Sequence, residues 1–296
     1  MKHTLLIFGL LWALGASGQI YINSFTFGAA PAATLLLDDY PGAAAAYSLR
    51  LLRTAYTGNC IEVRRSNDNT TSNIGFSGNY LDTAALKTFC GSNSCFVRTW
   101  YDQSTNARNV IQTADNTRQP RIVNAGTIER RNGQCTVFFD GTNDALQITG
   151  LSSITAPVTT FTVHTYQSIA SPSSFPYVYD HGSDDFILDD NAGAGSLVMK
   201  IYNGSSVVSN IGTINVQYLT YALFNTTSSV FTINTSTFTG STGTRTGEAI
   251  TLAANGGLVA GGFFNGNIQE FVTYFSNQST NQANIRANIN SFYNAY

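Results

Sequence analysis

The chain has 296 residues, 43% hydrophobic and 11% charged, with 15 Lys and Arg against 17 Asp and Glu. A charged fraction far below the usual value of about 25% leaves no basic field to hold a nucleic acid, and 26 Gly against 6 Pro suits a turn-rich β protein rather than a coiled coil. Beyond the N-terminus, no apolar run reaches the roughly 18 residues that a membrane-spanning helix requires.

Met1-Lys2-His3 is a short basic start, Thr4 to Leu14 is apolar, and Ala16-Ser17-Gly18 places small residues where a signal peptidase cuts. Residues 1–18 therefore read as a secretory signal. The mature chain is expected to begin at Gln19, with 19–296 as one domain, secreted or on the cell surface. From Gly42 to Tyr56, the Ala block and the spacing of Tyr47, Leu51 and Tyr56 predict a surface helix ended by Gly58. Cys60 to Arg65 alternates like a strand, and Asp82 caps a short helix, TAALKTFC. Strands then dominate. CFVRTWY, CTVFFD, TTFTVHTY, DFILDD, SLVMKIYN, SVFTINTS and IQEFVTYF are short, rich in β-branched and aromatic residues, and separated by Gly, Asn, Asp and Ser. Thr280 is the expected cap of a C-terminal helix whose Ile285, Ile289 and Phe292 share one stripe. The expected class is all-β, a sandwich with a few short helices.

Export permits disulfides, and the four cysteines, Cys60, Cys90, Cys95 and Cys135, allow three connectivities. The short loop favours Cys90 with Cys95. Zinc is a poor alternative, because His3, His164 and His181 show no ligand spacing. Asp102 and Asp140 directly follow strands, where Asp most often makes an Asx-turn; a sugar or Ca²⁺ contact is the competing role. Asp184, Asp185, Asp189 and Asp190 crowd together in a chain poor in charge, and such a group must be solvated, paired or bound to a cation. No cofactor is otherwise implied, with Ca²⁺ the compatible ion. Trp100 and His181 are assigned to packing and to a turn hydrogen bond.

The run AYSLRLLRTAYTG, VRRSND, FCGSNSCFVRTWYDQSTNARN, RQPRIV and NGQCTVFFDGTNDAL, from Ala44 to Ser152, resembles the catalytic domain of glycoside hydrolase family 54, the α-L-arabinofuranosidase B type. The resemblance rests on Cys90, Cys95, Tyr101, Asp102, Gln103 and Ser104. It implies a concanavalin A-like β-sandwich, or jelly roll, a Cys90–Cys95 bridge that leaves Cys60 for Cys135, and a carbohydrate partner, arabinose-containing or another surface glycan. It further implies a sugar pocket between the segment from Tyr177 to Asn191 and the turn Gly256-Gly257. The ligand-binding candidates are accordingly Tyr177, Tyr179, Asp180, Asp189, Asn191, Gly256 and Gly257. A retaining glycosidase needs two carboxylates about 5–5.5 Å apart. Here the position resembling the nucleophile holds Asn191, or Asp190 after a one-residue slip, and Leu258 stands where the acid would be. The leading expectation is an exported carbohydrate-recognition protein that has lost catalysis. The alternatives are an active α-L-arabinofuranosidase using Asp190, and a structural or adhesive surface or virion component.

Overall fold

The computed structural model describes residues 34–168, 175–182, 186–190, 197–209, 211–258 and 262–296. The expected signal segment, Asp184, Asp185 and Asn191 lie outside them. Among the described residues, nineteen strands join one continuous antiparallel sheet that folds over on itself, with two further two-stranded hairpins. In the rear layer, Val158–Tyr166 lies between Gln217–Phe224 and Asn265–Tyr274, and Ser229–Ile233 extends it. In the front layer, pairing runs from Met199–Tyr202 through Ile187–Asp190, Tyr177–Asp180, Ile250–Leu252, Leu146–Ile148 and Val110–Ile111 to Cys95–Trp100 and Ile61–Arg65. Arg121–Asn124 pairs with both Cys95–Trp100 and Val137–Asp140, which joins the two layers at one side.

The main core lies between the layers, where Leu146, Val178, Leu188 and Leu252 meet Tyr166, Ile268 and Phe271. A second apolar layer covers the outside of the rear sheet. There Phe161, Val163, Leu219, Tyr221 and Val272 receive Ile285, Ile289 and Tyr293 of the C-terminal helix, Gln282–Tyr293. Burial on both faces explains why Val158–Tyr166, Gln217–Phe224 and almost all of Asn265–Tyr274 are buried without alternation. It also explains why Gln217–Phe224 has no place among the expected strands, since its sequence lacks a period of two. The C-terminal helix follows Asn281 rather than Thr280, and Tyr293 rather than Phe292 completes its fully buried stripe.

The helix expected over Gly42–Tyr56 does not form. Ala45–Ser48 is a fully buried strand paired with Thr273–Glu270, and the only helix in this region is the four-residue Leu36–Asp39. The cause is the Trp-Tyr-Asp-Gln-Ser run on the other side of the Ala block. Asp102 Oδ1 accepts from Ala46 N at 2.8 Å, Gln103 N donates to Ala46 O at 2.9 Å, and Gln103 Nε2 reaches Ser48 O and Arg50 O at 2.9 and 3.0 Å. Helix propensity amounts to tenths of a kcal/mol per residue, and tertiary pairing on both edges exceeds it. The helix Thr83–Cys90 forms as expected, with Asp82 accepting from Ala85 N at 2.9 Å.

Cys90 and Cys95 are bridged. The second expected bridge is absent: Cys60 and Cys135 are free thiols. An even count of cysteines fixes parity and not geometry. Cys60 is buried and donates to Ser48 O at 3.4 Å, whereas Cys135 sits half-buried on the hairpin strand Gln134–Cys135; burial pushes both thiols up.

Candidate functional site

The segments that the resemblance brings to a sugar pocket do converge. Tyr177–Asp180 pairs with Ile250–Leu252, Tyr177 N donates to Gly262 O at 3.1 Å, and Ala253 N donates to Val178 O at 2.9 Å. Asp180 joins the two loops. Its Oδ1 accepts from Gly182 N at 2.8 Å and its Oδ2 from Gly256 N at 2.7 Å. The backbones approach so closely that a Cβ on Gly256 would lie 1.6 Å from Gly182 O, so only glycine fits.

This arrangement alters the candidate list. Asp180 is 0% exposed and Tyr179 1%, so neither presents a surface to a ligand. Asp180 is turned to the loop amides. Tyr179 packs edge-on against His181 and Phe271 in the core, where burial raises its phenol far above the ordinary range. Tyr177 is half-buried, with its ring over Gly262. Asp189 pairs in register with Tyr177 and Lys200, and Asp190 with Met199, which places their backbones beside Tyr177. His181 is buried with Nδ1 and Nε2 at 3.0 and 3.2 Å from Phe186 O and Thr273 Oγ1, and desolvation lowers its pKa to about 4. Trp100 is in the core.

Directly opposite residues in an antiparallel pair share a face. The registers therefore align Asn73, Glu62, Thr99, Ile111, Gln147, Thr251 and Asp180 as one row across the front sheet. At the middle of that row lies an open cleft of about 620 Å³, lined by Asn109, Ile111, Gln112, Thr113, Gln147, Ile148, Thr149 and Leu258 among others. Gln147 spans its floor, donating through Nε2 to Thr251 Oγ1 at 2.8 Å and to Gly256 O at 2.7 Å. Leu258 adopts a left-handed φ of 51° and packs on Ala145, Ala254 and Phe263. The cleft thus offers amides and hydroxyls beside apolar side chains, and none of its lining residues carries a carboxylate. The sequence reading reached the turn at Gly256-Gly257 and Leu258 but not Asn109, Gln112, Gln147 or Thr149. A lone Gln or Asn gives no signal in so amide-rich a chain.

Two other acidic positions have settled roles. Asp102 is almost fully buried and accepts from Ala46 N, Ser104 N, Ser104 Oγ and Arg108 N at 2.7–2.9 Å, so it is a structural node. Asp140 makes the expected turn, accepting from Thr142 N at 2.8 Å.

Residues 37–143 match the family model for the catalytic domain of α-L-arabinofuranosidase B. A probable α-L-arabinofuranosidase B of Aspergillus clavatus is 33% identical over 95 residues, covering 31% of this chain and 19% of that protein. The α-L-arabinofuranosidase B of Aspergillus niger is 32% identical over 89 residues, covering 29% of this chain and 18% of that enzyme. Among solved structures, a mutant family 54 α-L-arabinofuranosidase soaked with 4-nitrophenyl α-L-arabinofuranoside superposes with a TM-score of 0.65 at 16% identity, over 86% of this chain and 64% of that one. An arabinofuranosidase complexed with arabinofuranosyl-α-1,2-xylobiose gives 0.59 at 16% identity, with the same coverage. The domain is family 54-like. The chain shares the β-sandwich fold of those structures, and the matched stretch spans about a fifth of the length of the curated relatives.

Proposed function

We propose that this chain is an exported carbohydrate-recognition protein on an arabinofuranosidase B-like sandwich, binding a neutral glycan in the front-sheet cleft with little or no hydrolysis. The supporting observation is the lining of that cleft. Asn109, Gln112, Gln147, Thr113 and Thr149 provide uncharged donors and acceptors suited to sugar hydroxyls, while Ile111, Ile148 and Leu258 provide apolar surface for ring C–H groups. Leu258 stands on the turn where the resemblance implies a proton donor, and it cannot transfer a proton. Acid catalysis is typically worth 10²–10⁴ in rate, so this substitution weighs against turnover. Tyr177, Asp189, Gly256 and Gly257 are the candidate rim of the glycan site in this reading, and the protein acts as a secreted or cell-surface one.

The test titrates arabinose-containing oligosaccharides, followed by other surface glycans, at high micromolar to millimolar concentration against isotope-labelled protein. Shifts confined to the cleft residues are expected. Shifts elsewhere, or none, would transfer support to a structural or adhesive role. In parallel, an aryl α-L-arabinofuranoside should turn over near background. A kcat of about 1 s⁻¹ or more would replace this reading with that of an active hydrolase. Asp190→Asn would then be expected to abolish the activity. Export is checked by N-terminal sequencing of the exported protein, which should begin at Gln19.

A further inference from the structure

Where the C-terminal helix ends, another cavity, of about 220 Å³, shares no lining residue with the glycan cleft. Three pieces of chain wall it. The short strand Tyr80–Leu81 is pinned by Leu81 N, which donates to Leu49 O at 2.9 Å, and by the bridge between Tyr80 and Arg50. The hairpin of Arg130–Arg131 with Gln134–Cys135 supplies Arg130, Gln134 and Cys135. The helix Gln282–Tyr293 supplies Phe292 and Tyr293. Helix and hairpin are tied together, since Asn132 Nδ2 donates to Asn294 O at 3.1 Å and Gln134 Nε2 to Phe292 O at 3.3 Å. These bonds preform the walls, so a ligand need not order them.

The cavity runs from an apolar floor to a charged mouth. Leu49, Leu81 and Tyr293 are 5%, 3% and 1% exposed and form the floor, where the Tyr293 hydroxyl is already committed to Gln269 O and Glu270. Tyr80, 56% exposed, stands at the mouth with its ring stacked on Phe292 at 5.6 Å. Arg130 is exposed there too; its Nη1 donates to Gly133 O at 2.7 Å, and it has no carboxylate partner among the described residues. The neighbouring acids are engaged elsewhere, Asp82 with Ala85 N, Glu129 with Arg121 and Glu270 with Arg50. We infer that this cavity binds a small aromatic carboxylate, its ring on the floor beside Tyr80 and its acid group at Arg130. An apolar cavity of about 150 Å³ holds benzene, so about 220 Å³ has room for one ring and a carboxylate. A sugar suits this gradient poorly, because the hydroxyls around its ring would lie against Leu49 and Leu81 without partners. A carboxylate, by contrast, makes a charge-assisted pair with the guanidinium while its outer side keeps its water. Cys135 lines the same cavity as a free thiol, and Arg130 is near enough to oppose the rise that burial imposes on it. Its reactivity therefore reports occupancy.

The experiment titrates the isotope-labelled full chain with benzoate and, as its neutral match, benzyl alcohol. Shifts at Leu49, Leu81 and Phe292 are expected, with half-saturation by benzoate at about 1 mM and by benzyl alcohol at about two- to fivefold more, the range of an exposed ion pair. Benzoate should also slow alkylation of Cys135 by iodoacetamide, followed by peptide mapping, with buried Cys60 as the internal control. Arg130→Gln should bring the two ligands to equal affinity, and Tyr80→Ala should weaken both by about two- to tenfold. Both side chains are exposed, so both variants should keep the wild-type Tm, and the two wild-type comparisons stand even if a variant fails to fold. Equal affinity for the two ligands in the wild type, no shifts at these residues, or Cys135 alkylation unaltered by saturating benzoate would overturn the proposal. Tighter binding of a neutral sugar at the same residues would overturn it as well, and would make the cavity a second glycan site.

Discussion

The segment that follows Trp100 and the loop at Gly256 both place a buried carboxylate between two pieces of chain, and they do so to different ends. Asp102 accepts four N–H or O–H groups and, with Gln103, fastens the strand Ala45–Ser48 into the rear sheet. Asp180 accepts two loop amides and fastens the rim of the cleft. The first is the part by which the chain matches arabinofuranosidase B, within residues 37–143. The second lies outside that match. The comparison teaches that the node fastening the frame lies within the recognisable sequence, whereas the node fastening the rim lies where the likeness is one of fold alone, and the cleft between them draws residues from both.

The largest expected effect follows from breaking the frame. Asp102→Ala leaves buried donors unpaired and releases the edge of Ala45–Ser48, so urea unfolding should show a loss of about 3–4 kcal/mol. A loss below about 1 kcal/mol would show that the node is not what holds the Ala block extended. Next comes the rim. Gly256→Ala drives a methyl into the Gly182 carbonyl and should cost about 2–3 kcal/mol, while shifting the resonances of Gln147 and Thr251. Unchanged stability would mean that the two loops are free to part, and with them the cleft wall.

How much of this was legible follows from the same comparison. Strands such as Cys95–Trp100 and Met199–Tyr202 alternate because one face meets the core and the other faces outward, and the sequence displays that period. Gln217–Phe224 is covered on both faces and displays none. The Ala block misleads because its four residues are small enough to be packed between Asn265–Tyr274 and the Asp102-Gln103 pair, a tertiary constraint invisible in local propensity. In the site, the sequence reading expected Tyr179 and Asp180 as ligand contacts beside the Gly256 turn and did not foresee the strand Tyr177–Asp180 that buries them. The register also shifts between Tyr177 and Tyr179, an irregularity that no sequence period reports. Asp144 escaped notice because only its environment distinguishes it.

That environment gives the third effect, in the pH dependence of stability. Burial and the neighbouring Asp140 keep Asp144 protonated in the folded state up to about 8, whereas an unfolded Asp ionises near 4. Its contribution is therefore full below about pH 4 and is lost as pH rises to about 8. His164 and His181 act oppositely. Burial lowers them to about 3 and about 4, so what they contribute is present above about pH 6.5 and is lost as pH falls below it. Among the described groups with a resolved shift, Asp144 alone operates in this way between about pH 6.5 and 8, where the slope reaches at most about 1.4 kcal/mol per pH unit. The wild type should peak near pH 6.5 and decline toward 8, and Asp144→Asn should hold a plateau. The same decline in both proteins would remove Asp144 from the account.

The smallest effect separates the cleft from the frame altogether. Gln147 is partly exposed on the cleft floor, and its Nε2 is already committed to Thr251 Oγ1 and Gly256 O. That commitment fixes the orientation of its amide, so Oε1 is presented to the cleft as an acceptor for a sugar hydroxyl. A single hydrogen bond of this kind exchanges with water and contributes about 0.5–1.5 kcal/mol net, which corresponds to a factor of roughly 2–12 in affinity. Gln147→Ala should weaken glycan binding within that range and lower stability much less than Asp102→Ala does, since no buried charge is left without donors. Gln147→Glu makes the sharper comparison. It keeps the acceptor, but its carboxylate can no longer donate to Gly256 O, so binding should fall while Thr251 Oγ1 can still donate to it. Binding unchanged in both variants would move the glycan off this floor, even with the fold intact.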